Sequence, residues 1–102
     1  MAMLHTVNKS PFEKNSLDSC MRLAKAGSSV LLIEDGVVAA MKGTKHSKDV
    51  ADAMANVSFY VLGPDLKARG LDESNVAEGI KVVDYSGFVD LAAEHESVQA
   101  WL

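Results

Sequence analysis

Four short apolar runs, residues 3–7, 29–33, 58–62 and 80–83, are separated by stretches with helical periodicity. This alternation constrains the fold more than any other feature of the chain. Within the runs, apolar residues follow one another more than they alternate with polar ones. Strands of that kind are buried on both faces, as in a parallel sheet covered by helices. Strands that alternate with helices imply parallel pairing through right-handed crossovers. The expected fold class is therefore α/β, a three-layer α/β/α arrangement around a mainly parallel sheet. The tail, residues 97–102, can supply a short fifth strand and make the sheet five-stranded. At 102 residues the chain is read as one domain, 1–102. A domain of this size buries about two-thirds of its unfolded surface, enough for one core.

The helical segments carry their own signals. Asn15 or Ser16 can cap a first helix and Gly27 can end it. A short helix is expected over 37–41, between Gly36 and Gly43. Over 47–56, Val50, Ala53, Met54 and Val57 share one face, with Lys48, Asp49 and Asp52 on the other. Gly63-Pro64-Asp65 opens a one- to two-turn helix that Gly70 stops, since proline suits the first helical position and glycine the position after the last. Asp84 or Ser86 can cap a last helix with Phe88, Leu91 and Ala92 on one side. Residues 71–79 read as the most loop-like segment.

Several functions lack their signatures. The formal charge of −4 argues against a broad basic surface for direct binding of nucleic acid. Lys42, Lys45 and Lys48 form a small cluster, would share a face if helical, and are read as solvated surface. No G-x-G-x-x-G follows a strand, and the Gly36–Gly43 segment continues into Thr44 without the P-loop lysine, so no cofactor is expected. His5, His46 and His95 are far apart and give no metal-ligand spacing. His5 shares a strand face with Met3 and Val7 and is expected to be a hydrogen-bonded core histidine. His46 is expected at the surface, and His95 on the apolar side of the last helix. Glu34-Asp35, at the end of the second strand, is assigned to a turn and helix cap. The apolar stretch 30–33 is too short to cross a bilayer, and no signal-peptide pattern opens the chain. A single thiol, with no intrachain disulfide possible, suits the reducing cytoplasm.

That thiol, Cys20, is the one candidate for chemistry. It lies near the start of the first helix, after the first strand. A helix start beyond a strand's carboxyl end can lower a thiol's pKa. However, Leu17, Cys20, Met21 and Ala24 are spaced i, i+3, i+4, i+7 and form one apolar face, where cysteine packs as a small hydrophobe. Asp18 and Arg22 are two positions away and do not face it, so no adjacent base is visible.

Longer segments add a resemblance. Met3-Leu4-His5-Thr6-Val7-Asn8-Lys9-Ser10-Pro11-Phe12, Ile33-Glu34-Asp35-Gly36-Val37 with Ala39-Ala40, Tyr60-Val61-Leu62-Gly63-Pro64-Asp65-Leu66-Lys67-Ala68-Arg69-Gly70, Val83-Asp84-Tyr85-Ser86-Gly87-Phe88-Val89 and Gln99-Ala100-Trp101 occur in order over nearly the whole chain. Together they resemble the DsrH/TusB family. The resemblance implies a five-stranded parallel sheet between helices. It also implies the smallest subunit of a heterohexamer, two copies each of three related proteins, with DsrE/TusD-like and DsrF/TusC-like partners. Such complexes carry sulfur as a cysteine persulfide, chiefly on the DsrE/TusD-like subunit. The Dsr branch serves intracellular sulfur oxidation through a DsrC-type acceptor (TusE-like in the Tus branch). The Tus branch relays sulfur toward 2-thiouridine in tRNA. Cysteine within Asn15-Ser16-Leu17-Asp18-Ser19-Cys20 looks like DsrH and favours the sulfur-oxidation branch, with Cys20 as a candidate persulfide site. The TusB branch is the alternative, and a stand-alone cysteine sulfurtransferase a second one.

Overall fold

The computed structural model describes residues 3–102. Five strands, β1 Met3–Val7, β2 Ser29–Leu32, β3 Ser58–Leu62, β4 Lys81–Val83 and β5 Ser97–Trp101, form one sheet in the order β4-β3-β2-β1-β5. All neighbouring strands are parallel. The chain steps outward from β1 to β4, then returns across the sheet to place β5 on the free side of β1. Four α-helices, α1 Ser16–Leu23, α2 Ser47–Ala53, α3 Gly63–Ala68 and α4 Tyr85–Glu94, accompany two 3₁₀ helices, Glu34–Ala40 and Glu73–Asn75. No helix among the described residues is long and apolar enough to cross a membrane.

The two sheet faces are covered unequally. Val7, Val30, Leu32, Phe59 and Val61 project into the larger core, together with Leu17 and Cys20 of α1, Val37, Ala39 and Ala40 of the first 3₁₀ helix, Val50 of α2 and Leu66 of α3. On the opposite face, Leu4 and Leu31 meet Leu91 of α4, flanked by Tyr60, Val83, Phe88 and Ala92. Layers of helix, sheet and helix result, as expected, with α4 as the one long crossing. Its start is capped by Asp84, whose Oδ1 accepts from the Gly87 N–H at 2.8 Å. Its end is tied by His95, whose Nδ1 donates to the Leu91 carbonyl at 2.6 Å and whose Nε2 accepts from the Ser29 hydroxyl at 3.0 Å.

Several helix boundaries differ from expectation. α1 stops at Leu23, not at Gly27, because Ala24 already has extended backbone (φ −67°, ψ 128°). Gly27 (φ +89°) instead turns the chain into β2 and donates its N–H to the Asn56 carbonyl at 2.9 Å. Neither expected cap of α1 acts as one: Asn15 makes no side-chain cap bond, and the Ser16 hydroxyl donates to the Leu102 main-chain oxygen at 2.9 Å. The helix expected over 37–41 begins earlier and is 3₁₀ in type, since Glu34 turns the chain at once with φ 49°. Gly36 is required there: a Cβ would lie 2.2 Å from the Val7 carbonyl oxygen. Residues 71–79 are more ordered than a loop. Asp72 caps the second 3₁₀ helix by accepting from the Ser74 N–H at 2.9 Å, and Val76 bridges antiparallel to Met41. The backbone and side-chain hydrogen bonds from Ser74 hold the Asp72 carboxyl below its usual pKa.

Candidate functional site

Cys20 occupies the inward side of α1 and is fully buried. Its surroundings are the apolar core shared with Val7, Leu17, Val30 and Val37. Burial pushes the thiol up to about 12, far from a thiolate at neutral pH. Asp18 and Arg22, which flank it in sequence, pair with each other one turn apart on the exposed side of α1. In this conformation Cys20 is packed within the core and closed to solvent.

A crevice beside α1 holds about 170 Å³ and is lined by Pro11, Lys14, Asn15, Leu17, Asp18, Met21, His46 and Asp49. It lies between the β1–α1 loop, α1 and the start of α2, at the carboxyl end of β1. Cys20 is not part of its wall. His46 is half-buried here and not at the surface as expected, because Phe12 packs edge-on against its ring at 5.2 Å. The ammonium of Lys45 sits 5.7 Å over the same Phe12 ring. The Nε2 of His46 and the Oδ1 of Asn8 are both buried without a partner among the described residues.

The Glu34-Asp35 doublet forms a turn, as expected, but does not cap the helix, because Ile33 holds the N-cap position and Glu34 is already the first helical residue. The Glu34 N–H donates to Asp65 Oδ2 at 2.6 Å, and Asp35 pairs with Arg69 at 2.9 Å. These bonds clamp the end of β2 to α3. Neither reading of Asp65 nor of Arg69 was possible from spacing, since both partners lie about thirty residues away.

In the middle of β1, His5 is buried and hydrogen-bonded, as its strand face predicts. Its Nδ1 accepts from the Trp101 indole N–H at 3.0 Å, joining β1 to β5. Burial lowers its pKa and keeps the ring neutral. Beside this pair a cavity of about 330 Å³ is lined by Met3, His5, Leu23, Lys25, Ser28, Ser97, Gln99 and Trp101. The premature end of α1 leaves this stretch of β1 and β5 uncovered. Sequence reasoning missed Lys25, Ser28 and Gln99, which meet only because the α1–β2 loop and β5 both flank β1. Among the described residues no group of three His, Cys, Asp or Glu side chains could hold a metal ion.

Comparison with known proteins agrees with this architecture. The family described as "DsrH like protein" matches residues 9–98. The chain belongs to the DsrH/TusB family. Among its relatives, the TusB protein of Pectobacterium parmentieri is 37% identical over 97% of this chain and all of its own length. That of Erwinia tasmaniensis is 40% identical with the same coverage, and that of Escherichia coli K12 37% identical. In fold, the chain is similar to the YchN protein of Escherichia coli, with a TM-score of 0.82 and 15% identity over 98% of both chains. A protein of unknown function from Methanobacterium thermoautotrophicum gives a TM-score of 0.75 and 18% identity over 97% of both chains.

Proposed function

We propose that this chain is a TusB-type subunit of a sulfur-relay complex. It acts in the cytoplasm with TusC-like and TusD-like partners, and the relayed sulfur goes toward 2-thiouridine in tRNA. The observation that carries this reading is the end-to-end similarity to TusB proteins, at 37% and 40% identity. The buried, high-pKa thiol of Cys20 fits a subunit whose part is architectural, with the persulfide carried mainly by the TusD-like partner. In the full complex, two copies of each subunit form a heterohexamer that hands sulfur to a TusE/DsrC-like acceptor. The DsrH reading, in which the relay serves sulfur oxidation, takes second place. It rests on the cysteine at position 20, whereas the three sequence relatives named above are TusB proteins. A stand-alone cysteine sulfurtransferase gains no support from a thiol so placed.

Two measurements test this. The tagged chain, co-expressed with its TusC-like and TusD-like neighbours, should sediment with them as one larger species. Deleting its gene should remove 2-thiouridine from nucleoside digests of tRNA. Separate sedimentation of the three chains at micromolar concentration, or 2-thiouridine unchanged by the deletion, overturns the reading. Intact thiolation with impaired sulfur oxidation would select the DsrH branch.

A further inference from the structure

The cavity beside His5 and Trp101 carries unused binding capacity. The Trp101 indole is purely a donor, so His5 Nδ1 must be the acceptor in their 3.0 Å bond. The neutral ring then holds its proton on Nε2. This N–H has no hydrogen-bond partner among the described residues, although His5 is only 4% exposed. Ser28 is 1% exposed and lines the same cavity, and its hydroxyl likewise has no hydrogen-bond partner among the described residues. Neither donor atom is sealed from solvent, so both are open to a ligand that enters the cavity and can exchange their bonds to water for bonds to it.

The lining sets the ligand's chemistry. It includes one cation, Lys25, and no Asp or Glu, in a chain whose net charge is −4. Its apolar walls are Met3, Leu23 and Trp101. A volume of about 330 Å³ lies at the lower end of the range for small-molecule sites. We propose that this cavity binds a small organic carboxylate, its acid group held by Lys25, Ser28 and the His5 Nε2–H, and its apolar part against Met3, Leu23 and Trp101. One cation with two neutral donors matches a single carboxylate better than a phosphate, which usually gathers more positive charge or a helix N-terminus. The proposal does not depend on the sulfur-relay reading. The carboxylate belongs either to a free small molecule or to the C-terminus of a polypeptide.

The test is a titration of the ¹⁵N-labelled full-length chain, following the His5 imidazole and the Trp101 indole N–H by NMR. Three probes are used: 3-phenylpropanoate, its uncharged amide, and the peptide acetyl-Gly-Gly-Phe with a free carboxyl end. Both carboxylates should give saturable shifts at both side chains, and the amide should bind about tenfold more weakly. Lys25 is exposed, so Lys25→Met should keep the fold and weaken the carboxylates about fivefold, as should Ser28→Ala. A peptide that binds tighter than the free acid identifies a chain terminus as the source, and the reverse identifies a metabolite. No saturable shift by either carboxylate up to about 10 mM overturns the proposal, a limit weaker than −3 kcal/mol of binding. Equal binding of acid and amide, or unchanged affinity in Lys25→Met, also overturns it.

Discussion

A thiol pushed up to about 12 is almost wholly protonated at pH 8, whereas in an unfolded chain it titrates near 8.5. Native Cys20 should therefore react with 5,5′-dithiobis(2-nitrobenzoate) at least about a hundredfold more slowly than in denaturant. Labelling at the unfolded rate would mean that α1 opens readily and would favour a sulfur-handling Cys20. Replacement by serine puts a hydroxyl into an apolar core, so Cys20→Ser should lower stability by about 1–3 kcal/mol in urea unfolding. The helical spacing of Leu17, Cys20, Met21 and Ala24 pointed to an inward face. It could not give the depth, because Val37, Ala39 and Ala40 arrive from a different segment to complete the core. Gly36 is a second residue defined by close approach. Since a Cβ there would stand 2.2 Å from the Val7 carbonyl, Gly36→Ala must shift β1 or the 3₁₀ helix. A loss of about 3 kcal/mol is expected on chemical denaturation, and a loss below 1 kcal/mol would show that this junction yields.

β5 hangs on few supports. It is an edge strand, largely exposed, held by its pairing with β1, the His5–Trp101 bond and the Ser16 bond to Leu102. The His5–Trp101 bond needs His5 neutral. Burial lowers the folded pKa of His5, so the unfolded chain takes up the proton first. Stability is thus full above the unfolded value of about 6.5 and declines as the pH falls below it, toward the lowered folded pKa. Urea unfolding at pH 7.5 and 5.5 should show this decline, and His5→Gln should reduce it. An equal decline in the variant would assign the acid sensitivity to other groups. β1, β2 and β3 were legible as apolar runs because burial leaves a local mark, whereas the largely exposed β4 and β5 showed only as a short valine run and the tail. Helix ends were less legible. Gly27 looked like a helix stop, yet the chain must already be extended at Ala24 to reach Ser29 at the base of β2. That early stop opens the cavity at His5, and no short-range signal announces it.

Net charge and charge placement together bear on what the whole molecule can touch. Lys42, Lys45 and Lys48 would have shared a helical face, but α2 begins only at Ser47. Lys42 instead reaches the Ser74 carbonyl at 3.4 Å, Lys45 lies over the Phe12 ring, and only Lys48 belongs to the helix. The cluster is thereby divided between a loop contact, an aromatic contact and a helix surface. The parts of the polar organisation that escaped the sequence are of this kind: Asp35 with Arg69, Lys42 with Ser74, and His95 with Ser29 join residues that only the crossovers bring together. A protein of charge −4 without a continuous basic stripe has little to release counterions from a phosphate backbone. Even if its complex feeds tRNA modification, this subunit should stand at a step where sulfur moves between proteins. Filter binding of the purified chain to bulk tRNA at about 150 mM salt should accordingly give a dissociation constant weaker than about 10⁻⁴ M, the weak limit of ordinary non-specific binding. The same measurement on the co-purified complex separates the contributions of the other subunits. Micromolar binding by the chain alone, lost in a Lys45→Ala/Lys48→Ala double variant, would show that the divided lysines act as one surface after all and would place tRNA in direct contact with this subunit.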